Sequence, residues 1–574
     1  MRTKLPWHLA AVLCSIARQH AAQHVTVAGP GIEMVEVPTV KSEHGSLDTS
    51  LQLGPVHIGG VEVSFESRAL NGSIPGPTIV VQPGDVLRVL FQNKLQAPDG
   101  SLQENTYAAP NRTNLHVHGL HVSPLAPGDD VLGIAIDPGQ EYPYEHQLLH
   151  DHSPGTYWYH PHYHGSTLIQ SGAGAAGALV VADPPGYLSS QLEEMPDRVV
   201  VLQEFPRTLL GSVAAKSDDQ LFRIQHWGAG QDLWLANGAL CPALTLQSGV
   251  WQRLRLVAAG VSNWLSLDFG ECTVALLAKD GIYIDDFPRY VKNIQLPQGG
   301  RADVVVHCPG QTERDVDHEV VSLGQPAKFA GLRAKSFNGA VFMLRVPATH
   351  GEVQPEPLKA WTPPSRPRYL EDLRLSNSSI CTCSTSLGIG GNTRWIEGHL
   401  WEGKTHYMHS SPRNAVAERR LSGIQLHPYH QHTFPFQLLR TPGGDDPFFR
   451  SGDWHDTYLN VQDSRAVVRY HTVDYVGPQV VHCHNPAHSD TGMIAVEMVS
   501  TSSDLSACGC DLLDDSHHLS AQPTEDPLLT VAVVAFAAML GVSCATAGVL
   551  LRDWKRASQL DSYHQMREQP VRMV

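Results

Sequence analysis

Hydrophobic and polar positions along this chain alternate in short runs and rarely follow a helical period. The segment 71–91 is an example, because turn residues at Asn71-Gly72 and Pro75-Gly76-Pro77 precede two apolar, β-branched runs separated by a third turn. Gly and Pro are plentiful, at 49 and 40 residues, and long amphipathic helical patterns are scarce. This pattern predicts an all-β chain of short strands joined by tight turns.

The pattern of segment 71–91 returns once, at a spacing of domain size. Segment 237–257 again runs through Asn-Gly, a Pro, a short strand, a Gly and a second strand. Breaks rich in Pro and Gly at 184–186 and 355–367 divide the body of the 574-residue chain into segments of roughly 150 residues, a size typical of β-sandwiches. We therefore predict three β-sandwich domains, over residues 29–185, 190–352 and 365–500.

The two ends of the chain predict a secreted, membrane-anchored protein. Residues 1–28 have a basic start, a modest apolar run and then small residues, which indicates a signal peptide. Residues 528–551 carry no charge and are rich in Ala, Val and Leu, and a helix of that length spans the ~30 Å core of a bilayer. The polar segment 501–527 would form a stalk. Basic residues at the start of 552–574 place that tail in the cytoplasm, so the body is extracellular or luminal.

Charge and cysteine content narrow the function. A net charge of -16 argues against a nucleic-acid partner, and 32 His favour metal chemistry. If Cys483 binds a metal, an odd number of cysteines remains in the predicted ectodomain, so at least one has no partner within the chain. The pairs Cys381/Cys383 and Cys508/Cys510 could bridge each other. Sequons at Asn71, Asn111 and Asn377 predict a glycoprotein.

Histidines concentrate in four short clusters. They are His116-Val-His118, His160-Pro-His162-Tyr-His164, His427-Pro-Tyr-His430-Gln-His432, and His482-Cys483-His484 followed by His488 and Met493. Residues i and i+2 of a strand share a face, so His482 and His484 face one way and Cys483 the other. One strand could therefore serve two metal sites. Spacing alone leaves the pairs 160/162 and 162/164 open, and a fifth pair, His150 and His152, is more typical of a polar strand face.

The types of ligand identify the metal. Two His, a Cys thiolate and a weak axial Met describe a blue-copper electron-transfer site, and His427, Cys483, His488 and Met493 supply that set. The other histidines suit a copper cluster. Zinc would explain a Cys/His site, but not paired histidines beside a Cys-His-Met set.

These four clusters resemble the copper motifs of the multicopper oxidases, which include laccases, ascorbate oxidases, ferroxidases and bilirubin oxidases. The resemblance runs from about residue 61 to 499 and includes Gly155-Thr-Tyr-Trp-Tyr-His-Pro-His. It implies three cupredoxin-like, Greek-key β-sandwich domains. It also implies four copper ions, with type 1 copper in the third domain and a trinuclear cluster between the first and third.

Carried over residue by residue, the resemblance assigns each copper ligand. Type 1 copper takes His427, Cys483 and His488, with Met493 axial, and type 2 copper takes His116 and His430. One type 3 copper takes His118, His160 and His484, and the other takes His162, His432 and His482. The family pattern thus favours the 160/162 pair and leaves His164 outside the ligand set.

The same resemblance implies a mechanism. Single electrons from a reducing substrate enter at type 1 copper, pass from Cys483 to His482 and His484, and reduce dioxygen to water at the trinuclear cluster. Asp129 resembles the family's aspartate that helps to supply protons, although Asp130 is an alternative and Pro127–Asp130 is also good turn sequence.

The substrate is the most open question. Gly423-Ile-Gln-Leu, just before His427, offers no acid, which favours phenols or other small organic reductants, as in laccases. The acidic ectodomain and the anchor instead favour a ferroxidase or other metallo-oxidase working with a permease. Glu204 is then a candidate acid beside the type 1 site, although a structural role is favoured for it. A non-enzymatic copper-binding surface protein is a third possibility, against which the complete ligand set argues.

Overall fold

The computed structural model of the chain consists mainly of β-strands, so the predicted all-β class is confirmed. It describes residues 23–60, 63–95, 103–228, 232–324, 335–349, 355–364, 366–376, 380–390, 393–405, 407–425, 427–440, 448–460 and 465–510. The predicted transmembrane span 528–551, the tail 552–574 and most of the stalk lie outside these residues, as do the first 22 residues of the predicted signal peptide.

Two sheets form mainly from residues before 182. One has the order β12-β4-β3-β6-β8, with β1 paired to β3, and the other has the order β2-β5-β10-β9-β7. Leu51, Phe91, Tyr159 and Leu179 are among the buried residues that join the two sheets in one core. The strands are β1 (Gln23–Val27), β2 (Thr39–Lys41), β3 (Ser46–Gly60), β4 (Val63–Leu70), β5 (Gly76–Val81), β6 (Val86–Asn93), β7 (His116–His118), β8 (Glu141–Gln147), β9 (Gly155–His160), β10 (Gly177–Val181) and β12 (Arg223–Trp227).

Two of these strands cross the boundaries that the sequence predicts. β1 lies within the segment predicted as signal peptide, yet it pairs with β3, so a cleavage that keeps this sheet intact would fall before Gln23. β12 lies within the predicted second domain, yet it pairs with β4. Segments rich in Pro and Gly indicate where the chain turns. They do not indicate whether a strand beyond the turn pairs with the sheet of the preceding or following segment. The number and limits of the domains stay a prediction.

A second pair of sheets follows. Their orders are β13-β11-β15-β21-β17-β18, with β19 beside β17, and β14-β24-β22-β16-β20, with β23 beside β16. The strands are β11 (Asp197–Phe205), β13 (Leu233–Ala236), β14 (Ala243–Thr245), β15 (Gln252–Ala259), β16 (Asn263–Asp268), β17 (Thr273–Lys279), β18 (Ile282–Tyr283), β19 (Arg289–Tyr290), β20 (Asn293–Leu296), β21 (Arg301–His307), β22 (Val316–Ser322), β23 (Lys335–Ser336) and β24 (Gly339–Val346).

The third pair of sheets carries two of the four histidine clusters. Its orders are β26-β25-β28-β33-β30-β31 and β32-β29-β34-β35-β27-β36. The strands are β25 (Ile380–Gly390), β26 (Thr393–Ile396), β27 (Tyr407–Ser411), β28 (Val416–Ser422), β29 (Tyr429–Gln431), β30 (Phe436–Arg440), β31 (Trp454–His455), β32 (Thr457–Tyr458), β33 (Arg465–His471), β34 (Gly477–Cys483), β35 (Ile494–Val499) and β36 (Gly509–Cys510).

Helices are few and short in the described residues. They are α1 (Thr167–Ser171), α2 (Ser190–Glu193), α3 (Arg207–Lys216) and α4 (Pro486–Ser489), with 3-10 turns at Arg368–Leu370 and Leu505–Ala507. Within the described ranges, none of these helices is long and apolar enough to cross a membrane.

Disulfides join the pairs of cysteines that the sequence suggested could bridge. Cys381 bonds to Cys508 and Cys383 to Cys510, and these bonds attach the end of the described chain to β25. Cys272 bonds to Cys308. Cys241 and Cys483 are free thiols. Of the sequons, Asn71 is exposed, Asn111 is buried, and Asn377 lies outside the described residues.

A buried ion pair links the two sheets of the third pair. Glu497 on β35 accepts hydrogen bonds from Arg419 on β28, from Ser411 Oγ (2.5 Å) and from Tyr470 Oη (2.5 Å). Burial raises the pKa of Glu497, but the charge of Arg419, the charge of His409 and the hydrogen bonds from Ser411 and Tyr470 together outweigh burial and lower that pKa. A lowered carboxylate pKa contributes stability above the unfolded-state pKa, and that contribution is lost as the pH falls through the folded-state pKa.

We expect Glu497→Gln to destabilise the fold strongly, because it leaves the Arg419 guanidinium buried without its counter-charge. The cost of breaking such a pair is about 3–5 kcal/mol. Thermal unfolding at neutral pH measures it, and the exposed Glu145→Gln should lower the melting temperature far less. Equal shifts for the two variants would contradict a stabilising role for the buried pair.

Candidate metal centre

Two strand pairs bring the four histidine clusters together. β7 pairs with β9, which places His116 opposite His160. β29 pairs with β34, which places His430 opposite His482. The first two clusters therefore share one sheet and the last two share another.

The two sheets meet through their histidines. Nε2 of His482 lies 3.1 Å from Nε2 of His162 and 3.3 Å from Nε2 of His432. Nε2 of His484 lies 3.2 Å from Nδ1 of His118. The ring of His118 stacks on that of His430, and the ring of His116 on that of His432, each pair with centroids 3.9 Å apart. All eight histidines form one buried cluster, which is called the histidine cluster: His116, His118, His160, His162, His430, His432, His482 and His484.

Several imidazoles in the histidine cluster have one nitrogen that is hydrogen-bonded to an oxygen and one nitrogen that has no hydrogen-bond partner. Nδ1 of His160 donates to the carbonyl of Pro161 (2.8 Å), and Nδ1 of His430 donates to the carbonyl of Asp456 (2.8 Å). Within the described residues, the Nε2 atoms of His116, His160 and His430 are buried without a hydrogen-bond partner. A buried, unpartnered nitrogen is costly unless a ligand satisfies it, and this arrangement is typical of metal-binding histidines.

The electrostatics of the histidine cluster also fit a metal. Burial, and then the neighbouring histidines, lower the pKa of His116 and His432 well below the usual value. The rings are therefore neutral imidazoles, which is the form that binds metal ions, and neutral imidazole suits copper. The residues present fit a copper cluster.

Asp129 orients one member of the histidine cluster. Its carboxylate accepts hydrogen bonds from Nδ1 of His116 (2.8 Å) and from the amide of Val117 (3.1 Å). Burial raises the pKa of Asp129 well above its usual value, although the Val117 amide opposes that shift. Asp130 instead accepts from the amide of Gly133 within its own turn. Of the two candidate aspartates, Asp129 is the one that contacts the cluster.

Sequence reasoning missed a second acidic contact to the histidine cluster. Nε2 of His118 donates to Oδ1 of Asp456 (3.1 Å), and Asp456 also accepts from Arg301 on β21 (2.7 Å). Trp158 stacks on His160, with centroids 4.2 Å apart. Asp456 and Arg301 are 155 positions apart in the sequence, so no local motif contains both residues and predicts their contact. The one signal for Asp456 is its place in the run Asp453-Trp-His-Asp456.

A second cluster lies on the other face of β34. Sγ of Cys483 lies 3.7 Å from Nδ1 of His427 and 3.6 Å from Nδ1 of His488. Those two nitrogens are 3.1 Å apart. These three residues, with Met493, are called the thiol cluster. Cys483 thus points into one cluster while its neighbours His482 and His484 point into the other, as strand alternation predicts.

Helix α4 brings His488 back towards Cys483. The side chain of Asn485 accepts a hydrogen bond from the amide of Ala487 and caps the helix. Met493 follows, fully buried, and its amide donates to the carbonyl of His488 (3.0 Å). His488 is partly exposed, so the thiol cluster reaches the surface.

Arg394 on β26 places positive charge near the thiol cluster. Burial, and then the charge of Arg394, lower the pKa of His427 to about 4. Burial raises the pKa of the Cys483 thiol to about 12, with the Asn485 amide and Arg394 opposing. A Cβ on Gly492 would lie 2.7 Å from the carbonyl of Arg394, so β26 packs closely against the loop that leads to Met493.

Three sequence candidates lie outside both clusters. Nε2 of His164 contacts Oδ1 of Asn105 (3.2 Å), and His152 accepts from the amide of His121 (3.1 Å). Glu204 is fully buried and accepts from the amides of Val261 and Ser262 (2.8 and 2.7 Å). Glu204 thus has a structural role, which the sequence favoured for it, because its oxygens hold a turn.

Comparison with known proteins adds an independent line of evidence. Sequence profiles described as "Multicopper oxidase" match residues 61–186 and 391–503. Laccase-1 of Agaricus bisporus is 22% identical over 74% of this chain and 85% of its own length. Multicopper oxidase MmcO of Mycobacterium tuberculosis is 23% identical over 76% of this chain and 84% of its own. A Campylobacter jejuni multicopper oxidase described as a metallo-oxidase superposes with a TM-score of 0.63, at 19% identity, over 83% of this chain and 98% of its own.

The all-β, cupredoxin-like fold and these two clusters are those of a copper-dependent oxidoreductase. Within that class, the chain is similar to the multicopper oxidase family over residues 61–186 and 391–503.

Proposed function

We propose that this protein is laccase-like. It takes single electrons from a phenol or another small organic reductant at the thiol cluster and uses four of them to reduce dioxygen to water at the histidine cluster. The observation that carries the proposal is the alternation along β34, where Cys483 belongs to one cluster and His482 and His484 to the other.

The proposed ligand sets are those that the resemblance to the multicopper oxidases implies. His427, Cys483, His488 and Met493 would hold type 1 copper, and His116 and His430 type 2 copper. His118, His160 and His484 would hold one type 3 copper, and His162, His432 and His482 the other. When bound, these four ions supply the one-electron redox chemistry that couples substrate oxidation to dioxygen reduction.

The protein's own groups have three tasks in this proposal. The backbone from Cys483 to its two histidine neighbours is the covalent connection between the clusters. Asp129 and Asp456 fix the tautomers of His116 and His118, so that the opposite nitrogens face the metal. Burial of all eight imidazoles keeps bulk water away from the histidine cluster.

We also propose that the catalytic body is held on the outer or luminal side of a membrane by residues 528–551. The support is the uncharged run followed by basic residues in the sequence.

Charge near the thiol cluster favours an organic substrate over a metal cation. Arg394 is the cation that acts on His427 and Cys483, and it would repel Fe(II) and attract anions.

One observation favours the alternative of a metallo-oxidase. Glu104 lies 3.8 Å from His164, whose ring is 6.0 Å from that of Trp401, and this acidic edge could receive a metal ion.

Steady-state oxygen consumption with Fe(II), Cu(I), a neutral phenol, a carboxylated phenol and ascorbate tests the substrate. We expect the phenols to have a higher kcat/KM than Fe(II), and the carboxylated phenol to have the lower KM of the two. A clear advantage in kcat/KM for Fe(II) or Cu(I) would overturn the laccase-like ranking.

Two charge variants separate the candidate functions. In Arg394→Gln, an interaction of about 1 kcal/mol is lost, so KM for the carboxylated phenol should rise roughly fivefold while KM for the neutral phenol stays constant. If the protein is a metallo-oxidase, Glu104→Gln should lower its activity towards Fe(II). If it is laccase-like, that activity should not change.

A further inference from the structure

A row of polar side chains crosses the first sheet, away from both copper clusters. The parallel pairing of β1 with β3 places His24 beside His57. The antiparallel pairing of β3 with β4 places His57 beside Glu66. Paired residues on neighbouring strands point to the same face, so the three side chains stand in one row.

The two imidazoles of this row converge on a single space. Their ring centroids are 4.9 Å apart. Gly59 lies next to them on β3, and a Cβ there would lie 3.1 Å from Nε2 of His57 and 3.4 Å from Nε2 of His24. Because residue 59 has no side chain, the two nitrogens face a common gap above the sheet. The register also places Ser64 opposite Gly59, and its Oγ is 3.5 Å from Nε2 of His57.

Glu66 prepares His57 to bind a metal ion. Its Oε1 lies 2.8 Å from Nδ1 of His57, so that nitrogen donates to the carboxylate. Nε2 is then the nitrogen with the free lone pair, and it is the one that faces the gap. A carboxylate behind a histidine in this way fixes the ring and raises its basicity as a ligand, which is the usual arrangement around metal-binding histidines.

We propose that His24 and His57 form a surface site for a divalent transition-metal ion of borderline softness, with Glu66 holding His57 in place. Imidazole nitrogens suit Zn²⁺, Ni²⁺ and Cu²⁺, and Cu²⁺ binds tightest among these ions at such a site. Water completes the coordination, since His24 is exposed and the side chains of His57 and Glu66 are 26% and 31% exposed.

The site is separate from the proposed oxidase chemistry. Its residues lie on β1, β3 and β4, whereas the histidine cluster uses β7, β9, β29 and β34. The proposal therefore does not rest on the laccase-like function, and a redox-inactive probe tests it without turnover. A bound ion would also tie the edge strand β1 to β3.

Calorimetric titration of the copper-loaded protein with Zn²⁺ tests the site. We expect His24→Ala and His57→Ala each to bind one equivalent of Zn²⁺ fewer than the parent protein. Glu66→Gln should keep the site but weaken it about tenfold, since loss of a carboxylate behind a ligand costs 10- to 100-fold in affinity. His150→Ala, which removes an exposed histidine elsewhere in the chain, is the matched control and should bind as the parent does.

Hydrogen exchange supplies a second readout that needs only the parent protein and His24→Ala. Zn²⁺ should slow exchange of the β1 amides in the parent and leave them unchanged in His24→Ala, which removes an exposed side chain and should fold normally. Unchanged Zn²⁺ stoichiometry in both histidine variants, or β1 exchange that Zn²⁺ does not alter in the parent, would overturn the proposal.

Discussion

Replacing Cys483 by Ser should abolish the blue absorption of this protein and almost all of its oxidase turnover. The blue colour of a type 1 site comes from a thiolate–copper bond, and Ser cannot provide it. The eight members of the histidine cluster lie on the opposite side of β34 and stay in place. We therefore expect about three coppers per chain in place of four, measured by elemental analysis together with visible absorption.

Cys241→Ser is the matched control for this experiment, because Cys241 is the other free thiol among the described residues. It should keep four coppers, the blue band and full turnover. A blue band that persisted in Cys483→Ser would show that the thiolate ligand had been assigned wrongly. Loss of all copper would show that the two clusters do not load independently.

Replacing His430 by Ala should have the complementary effect. His430 contributes to the histidine cluster and, in our assignment, shares type 2 copper with His116. We expect the type 2 signal in electron paramagnetic resonance to be lost and dioxygen reduction to fall by several orders of magnitude. The blue band should remain, because the thiol cluster is untouched, and added substrate should bleach it.

The control for His430→Ala is His150→Ala, since His150 belongs to the fifth histidine pair and lies outside both clusters. Copper content and turnover should match those of the parent. Rapid reoxidation of the bleached blue band by dioxygen in His430→Ala would contradict the assignment of the histidine cluster as the site of dioxygen reduction.

Most of the site could be predicted from the sequence because strand alternation is a local property. The opposite orientations of Cys483 and its neighbours follow from the two-residue period alone. The ambiguity at 160/162/164 could not be solved in that way, since β9 ends at His160 and the chain then turns into α1. Beyond the strand the period no longer applies, and His164 points towards Asn105.

Contacts between distant segments were beyond the reach of sequence patterns. Arg301 comes from the second pair of sheets and meets Asp456 in the third, and neither residue belongs to a recognisable motif. Arg394 lies on β26, which pairs with β25, and gives no sign in the sequence that its charge acts on the thiol cluster. The particular partners of Glu204 could not be predicted for the same reason, because residues 261–263 become its neighbours only when β11 is folded against the loop after β15.

The most direct test of the account is the stoichiometry of dioxygen consumption with a one-electron phenolic donor. Coupling of the thiol cluster to the histidine cluster through β34 predicts that four donor molecules are oxidised for each dioxygen consumed, with water as the product and no hydrogen peroxide released. A ratio of two donors per dioxygen, with one hydrogen peroxide formed, would contradict the account.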